Sequence, residues 1–157
     1  MEAVYEGCRI NITMQGYPMN TKSIMKSELI APCGMNCAIC MGHLLRKNKC
    51  PGCRGNDTNK TQTCIDCVII NCDNLEESKS KYCSEKCEKY PCLRLRNLDK
   101  RYRTKYKMSM IENLENIERI GIRAFVRNEK VRWACSECGG IICVHRGCCS
   151  NCGKEKD

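Results

Sequence analysis

Ala31-Pro32-Cys33-Gly34-Met35-Asn36-Cys37-Ala38-Ile39-Cys40, followed by Cys50-Pro51-Gly52-Cys53-Arg54-Gly55, decides the fold. These residues open a stretch of sixty that holds eleven of the chain's eighteen cysteines: Cys33, Cys37, Cys40, Cys50, Cys53, Cys64, Cys67, Cys72, Cys83, Cys87 and Cys92. Most come in closely spaced pairs and triplets, the spacing of metal ligands. Two thiolates grip one tetrahedral ion from a single tight turn only when few residues separate them. Cys50-Pro51-Gly52-Cys53 reads as such a turn.

Working outward, the composition excludes a conventional aromatic core. The 157 residues include one Trp, one Phe and six Tyr, which predicts a thin core in one ordinary domain or two very small ones. Eighteen cysteines exceed the ~8–10% that marks a cross-linked scaffold, so the cross-link is disulfide or metal. The first thirty-one residues show no positively charged start followed by an apolar run. No later segment approaches the ~18 apolar residues of a membrane span. The expected compartment is therefore the cytoplasm, where thiols stay reduced and clustered cysteines bind metal more often than each other.

Residues 1–26 are Met-rich and polar, with Gly16, Pro18 and Asn20 breaking any period, and read as a mobile leader in which Cys8 is a spare thiol. The folded part begins at Ser27. Asn36 is a candidate cap for a short helix carrying Cys37, Cys40, Met41 and Leu44 on one face. His43 lies on a neighbouring face and reads as a packing residue before a ligand. Cys33-x3-Cys37-x2-Cys40 also matches the three-cysteine signature of radical enzymes that use S-adenosylmethionine, but the chain is too short for their α/β barrels of ~200 residues or more.

An internal echo supplies the second organising feature. Cys50-x2-Cys53 is followed after ten residues by Cys64-x2-Cys67, and Cys135-x2-Cys138 after ten by Cys149-x2-Cys152. In the second instance Gly139 and Gly153 directly follow the knuckles, where the backbone turns back toward a metal. Ile141, Cys143 and His145 alternate with Ile142 and Val144, as in a strand. Residues 133–153 thus read as a zinc ribbon with Trp133 covering its apolar side. Cys143, His145 and Cys148 read as neighbours of that metal before a second site. If the first echo closes likewise, Cys33, Cys37, Cys40, Cys72, Cys83, Cys87, Cys92 and His43 suffice for two more sites, although cross-braced pairings fit the same spacings.

Between the modules, Leu95, Leu98, Tyr102 and Tyr106 recur at helical intervals from Cys92 to Lys107, with Pro91 suited to the helix start. From Lys79 to Lys107 there are eleven Lys and Arg against three acids. That segment carries nearly all of the net +9 charge. Arg94, Arg96, Lys100, Arg101, Arg103 and Lys105 are candidate contacts to a protein or to phosphate backbones, with tyrosines available to stack on bases. The alternative is a solvated face whose tyrosines pack on the cysteine module. Ser109-Met-Ile-Glu112 is a capping box opening a second helix with the core stripe Met110, Ile111, Leu114 and Ile117, and Gly121 stops it. Ile122–Lys130 adds a short third helix.

The order of these motifs, from Ala31-Pro32-Cys33 through Tyr82-Cys83-x3-Cys87-x2-Tyr90-Pro91-Cys92 to Trp133-x-Cys135-x2-Cys138-Gly139-Gly140, resembles the small cysteine-rich prokaryotic family catalogued as domain of unknown function 3795. The resemblance covers roughly residues 27–153 and implies metal binding without an assigned activity. Cys143 and Cys148 have no counterpart in that pattern.

The expected protein is a small metal-stabilised α+β chain: a leader (1–26), a multi-cysteine zinc-knuckle module (27–92), two to three short helices (93–132), a C-terminal zinc ribbon (133–153) and a tail (154–157). The expected role is a non-catalytic interaction module holding several zinc ions. The alternative is an iron–sulfur redox protein with a 4Fe–4S cluster, first at Cys33, Cys37 and Cys40. No phosphate-cradling glycine loop, H-E-x-x-H helix or G-x-S-x-G elbow speaks for an enzyme.

Overall fold

The computed structural model describes residues 25–156; the leader to residue 24, with Cys8, lies outside the described residues. Met25, expected in the leader, is buried among the core residues. Two 3-10 turns, Ser27–Leu29 and Cys37–Ile39, open the described chain. Asn36 caps the second, its side chain accepting from the Ala38 N–H at 3.1 Å. The expected helix stops there after three residues. Cys40 turns extended (φ −75°, ψ 138°), because the chain must swing out to Gly42, whose carbonyl accepts from the Cys50 N–H at 3.0 Å.

Three short helices carry or adjoin the next thiols: α1 (Gln62–Ile65), α2 (Asp73–Ser78) and α3 (Cys83–Lys86). Then come α4 (Leu93–Tyr106), α5 (Met110–Ile120) and α6 (Ile122–Arg132), and a two-stranded antiparallel hairpin, β1 (Ile142–Cys143) and β2 (Cys148–Cys149). Its register pairs Ile142 with Cys149 and Cys143 with Cys148. Pro91 lies one residue before the Cys92 cap of α4 rather than inside the helix.

The α4–α5 corner follows from one buried carboxylate. Asp99, 5% exposed, accepts from the Ser109 hydroxyl at 2.7 Å and the Ile111 N–H at 3.1 Å, and pairs with the Arg103 guanidinium at 2.8 Å. The Ser109 oxygen in turn accepts from the Glu112 N–H at 3.0 Å. The predicted cap is thus also the joint between two helices. On α5, Met110, Leu114 and Ile117 are buried as expected, and Gly121 ends the helix with φ +79°.

The core is thicker than the aromatic count predicts, because Ile, Leu, Met and Cys build it. Ile30, Ile39, Leu95, Met108, Met110 and Leu114 are at most 1% exposed, and Cys33, Cys37, Cys135 and Cys149 belong to the same cluster. This one cluster joins the N-terminal module, helices and hairpin. Ile141 to Val144 are all buried, so the expected in–out alternation is absent. Both faces of this segment are covered, as in strands buried on two sides. The C-terminal residues are likewise part of the module: Lys156 donates its N–H to the Gly147 carbonyl at 2.8 Å, and its ammonium sits 3.5 Å from the centroid of the Trp133 ring.

Glu129 on α6 fastens the two ends of the described chain. It is 2% exposed, and one carboxylate oxygen accepts from the Asn36 amide at 3.1 Å and the Trp133 indole N–H at 3.0 Å. Among the described residues, no helix is long and apolar enough to cross a membrane. Glu129→Ala, which strands two buried donors, is expected to cost roughly 3 kcal/mol in denaturant unfolding of the metal-loaded protein. Glu129→Gln keeps an acceptor for both donors and loses only the half-exposed Arg132 pair, so it is expected to cost less than about 1 kcal/mol. Equal losses would show that the carboxylate's partners do not matter.

Candidate metal centre

Cys135 and Cys138 stand on the turn after α6, and Cys149 and Cys152 on the return from β2. The hairpin register brings the two turns together. The four Sγ atoms lie within 4.8 Å of one another. Cys135 and Cys152 are 3.6 Å apart, and Cys138 and Cys149 3.5 Å. A tetrahedral ion with metal–sulfur bonds of ~2.3 Å needs sulfurs roughly 3.8 Å apart, so these residues fit one ion.

Each turn closes on its glycine. The Gly139 N–H donates to the Cys135 carbonyl at 2.9 Å and the Gly153 N–H to the Cys149 carbonyl at 3.0 Å, with φ of +69° and +77°. Further N–H groups face the sulfurs: Gly140 N–H to Cys138 at 3.4 Å, Asn151 N–H to Cys149 at 3.4 Å, and the Asn151 amide to Cys138 at 3.5 Å. Partial burial opposes ionisation of Cys138, but the Asn151 and Gly140 donors outweigh it and bring its pKa down to about 6. Burial pushes Cys149 up to about 12, and its neighbouring thiols add to the rise. A cation among them reverses that penalty, because metal ligation requires thiolates.

Sequence reasoning assigned no role of their own to Gly140 and Asn151. A Cβ on Gly140 would lie 2.9 Å from the Asn151 Cβ and 3.0 and 3.2 Å from the Cys149 and Cys138 sulfurs. The Gly139-Gly140 pair is the signal for this close approach, since the first glycine serves the turn and the second the packing.

Cys143, His145 and Cys148 lie outside this four-thiol group. Cys143 and Cys148 are buried and stand opposite each other in the hairpin register, but Cys143 is a free thiol and Cys148 is disulfide-bonded. Both His145 nitrogens are engaged. Nδ1 accepts from the Met41 N–H at 3.3 Å, which puts the proton on Nε2, 2.9 Å from the Tyr102 hydroxyl. Burial lowers the His145 pKa and keeps this neutral form. The ring stacks edge-on against Tyr102 and Tyr106, with centroids 5.7 and 5.0 Å away.

The first echo does not copy the second. Among the described residues, Cys50, Cys53, Cys64 and Cys67 do not draw together within 4.8 Å. The chain braces across instead. Cys37 accepts from the Cys53 N–H at 3.4 Å. A side-chain bond to Cys37, followed by burial, holds the Cys53 thiol far above its ordinary pKa, while the nearby Lys60 cation acts against it. Lys60 donates to the carbonyls of Cys53 and Gly55 at 3.2 and 2.7 Å. Cys33 is raised by burial and by the charges of Cys53, Cys83 and Cys67. Cys40 is raised to about 11 by burial and by Cys50 and Cys64. Among the described residues, the sulfurs of Cys33, Cys37 and Cys40 are not drawn within 4.8 Å of one another, and Cys37 is engaged by Cys53 instead. His43 Nδ1 lies 2.7 Å from the Cys50 carbonyl oxygen. A carbonyl only accepts, so Nδ1 carries a proton, and in the neutral ring Nε2 then offers the lone pair of a metal ligand.

On α4, Arg94, Arg96, Lys100, Arg101, Arg103 and Lys105 are all exposed. Arg103 is tied to Asp99 and Arg94 reaches the Val68 carbonyl at 3.4 Å. The tyrosines expected to be available for base stacking are partly buried, and Tyr102 is bonded to His145.

Gly140→Ala is expected to weaken metal binding at the four-cysteine centre by ~10–100-fold, the usual cost of disturbing the groups around a ligand set. Chelator competition at constant pH measures it; an unchanged affinity would show that the second glycine is dispensable. No family model matches the chain, and no match to it is found among the curated proteins or the solved structures.

Proposed function

We propose that this chain is a non-catalytic interaction module whose fold is completed by zinc, the C-terminal hairpin acting as a zinc ribbon. The observation that carries this reading is the Cys135, Cys138, Cys149 and Cys152 cluster, sized for one tetrahedral ion. Four thiolates leave no open coordination position, which suits a structural site rather than a catalytic one. Structural zinc contributes apparent binding free energies of ~10–16 kcal/mol, enough to hold a short two-stranded hairpin that could not stand alone. The resemblance in motif order to a cysteine-rich family taken as metal-binding supports the same reading.

The partner surface is the outer face of α4. Arg96, Lys100, Arg101 and Lys105 are exposed there and have no part in the Asp99 joint. Because Tyr102 and Tyr106 pack inward, this face suits contact with a phosphate backbone by charge, without base stacking.

Cys135→Ser and Cys138→Ser are each expected to remove one zinc ion per chain by mass spectrometry and to melt the C-terminal hairpin. Unchanged metal content would sink the ribbon reading. Charge reversal at Arg96, Lys100, Arg101 and Lys105 is expected to weaken nucleic-acid binding and to lower its log–log salt slope by about four, roughly one for each phosphate no longer neutralised. Identical binding and slope would make α4 a solvated face only.

A further inference from the structure

We propose that Cys72, Cys83, Cys87 and Cys92 form a second centre of a different kind, one that holds a polynuclear iron–sulfur cluster. The four thiols line a single cavity of about 550 Å³. They come from four separate places in the chain: the cap residue before α2, the first residue of α3, the residue closing α3, and the cap residue before α4. Four cysteines brought to one cavity from four backbone positions match the four cysteine thiolates that are the usual complement of [2Fe–2S] and [4Fe–4S] clusters.

Spacing separates this centre from the C-terminal one. The ribbon sulfurs all lie within 4.8 Å of one another; these four do not. They nevertheless share one cavity, with Cys83 and Cys87 at the two ends of α3. One ion needs its four sulfurs roughly 3.8 Å apart, whereas a [4Fe–4S] cluster places each thiolate on its own iron and a [2Fe–2S] cluster places two on each of two irons, so either set as a whole spans a wider space, with inorganic sulfide between the irons.

The surroundings fit the same ligand. The Tyr90 ring shares the wall, and its hydroxyl is buried with no hydrogen-bond partner among the described residues. A phenol there can donate to a cluster sulfur, a bond of the kind that tunes such centres. Ile69 and Leu75 supply apolar lining. The amino end of the fourteen-residue α4 begins at Cys92, and its cap residue makes no side-chain bond to the free N–H groups. Those groups favour the negative charge of a thiolate-bound cluster.

The test uses the full chain, purified without oxygen and supplied with ferric iron, sulfide and a thiol reductant. A brown protein is expected, with iron and acid-labile sulfide in equal amounts and a paramagnetic resonance signal after reduction. Cys83→Ser and Cys87→Ser are expected to lose one cluster's worth of iron and sulfide while keeping the ribbon zinc. Cys138→Ser is expected to do the reverse, so the two centres fail separately. Thiol alkylation of the wild-type chain provides a readout that needs no variant. Cys72, Cys83, Cys87 and Cys92 should be protected while iron is present and labelled once it is stripped, with Cys135 and Cys149 still protected by zinc. Iron and sulfide unchanged in both variants, labelling indifferent to iron, or uptake of a single zinc or cobalt ion by these four thiols would each overturn the proposal.

Discussion

The Glu129 carboxylate is the group on which the arrangement of the modules depends. One of its oxygens meets Asn36 of the N-terminal module and the indole of Trp133 at the entrance to the C-terminal hairpin. A carboxylate taken out of water is costly unless donors surround it. Here the donors come from positions 93 residues away and four residues away along the chain, so satisfying the charge and joining the modules are the same event. Asn36 is occupied twice, since its side-chain oxygen caps the Cys37–Ile39 turn. The orientation of the first cysteines is thereby tied to α6.

Around that carboxylate, the hairpin is stitched directly to the cysteine module. The Val144 N–H donates to the Ile39 carbonyl at 3.0 Å, and His145 takes the Met41 N–H while holding Tyr102. The second histidine, His43, is fixed by a backbone carbonyl and keeps a lone pair. The two histidines therefore have opposite chemical capacities: one is fully satisfied by protein groups, the other keeps a ligand atom. Asp99 performs for α4 and α5 what Glu129 does for the modules. Buried acids thus position the elements, and thiols fill the spaces between them.

Those thiols stand in two geometries. The C-terminal four are drawn tight by two glycine turns, and N–H groups point at the sulfurs before any ion is considered. The N-terminal eleven are spread along short helices and turns, and among the described residues they form no group drawn within 4.8 Å. Tight and wide arrangements in one chain suit different inorganic ligands. Neither needs the aromatic core that the composition withholds.

The sequence by itself determined most of the local structure. The Ser109 cap, the α5 stripe, the Gly121 stop, the helical period of α4 and the four C-terminal thiols with their glycines were all legible, because each depends on residues within a few positions or on one repeated spacing. Tertiary structure alone decided which thiols face each other in the N-terminal array. Identical C-x2-C spacings draw together at Cys135 and Cys149 but not at Cys50 and Cys64, because a hairpin aligns the first pair, whereas Cys53 is engaged by Cys37. It also decided the use of α4: its charges point outward as its period requires, but its tyrosines turn in because His145, forty-three residues beyond Tyr102, presents the partner that a buried hydroxyl needs. No local pattern could have revealed Glu129, whose place depends on donors brought to it only by folding.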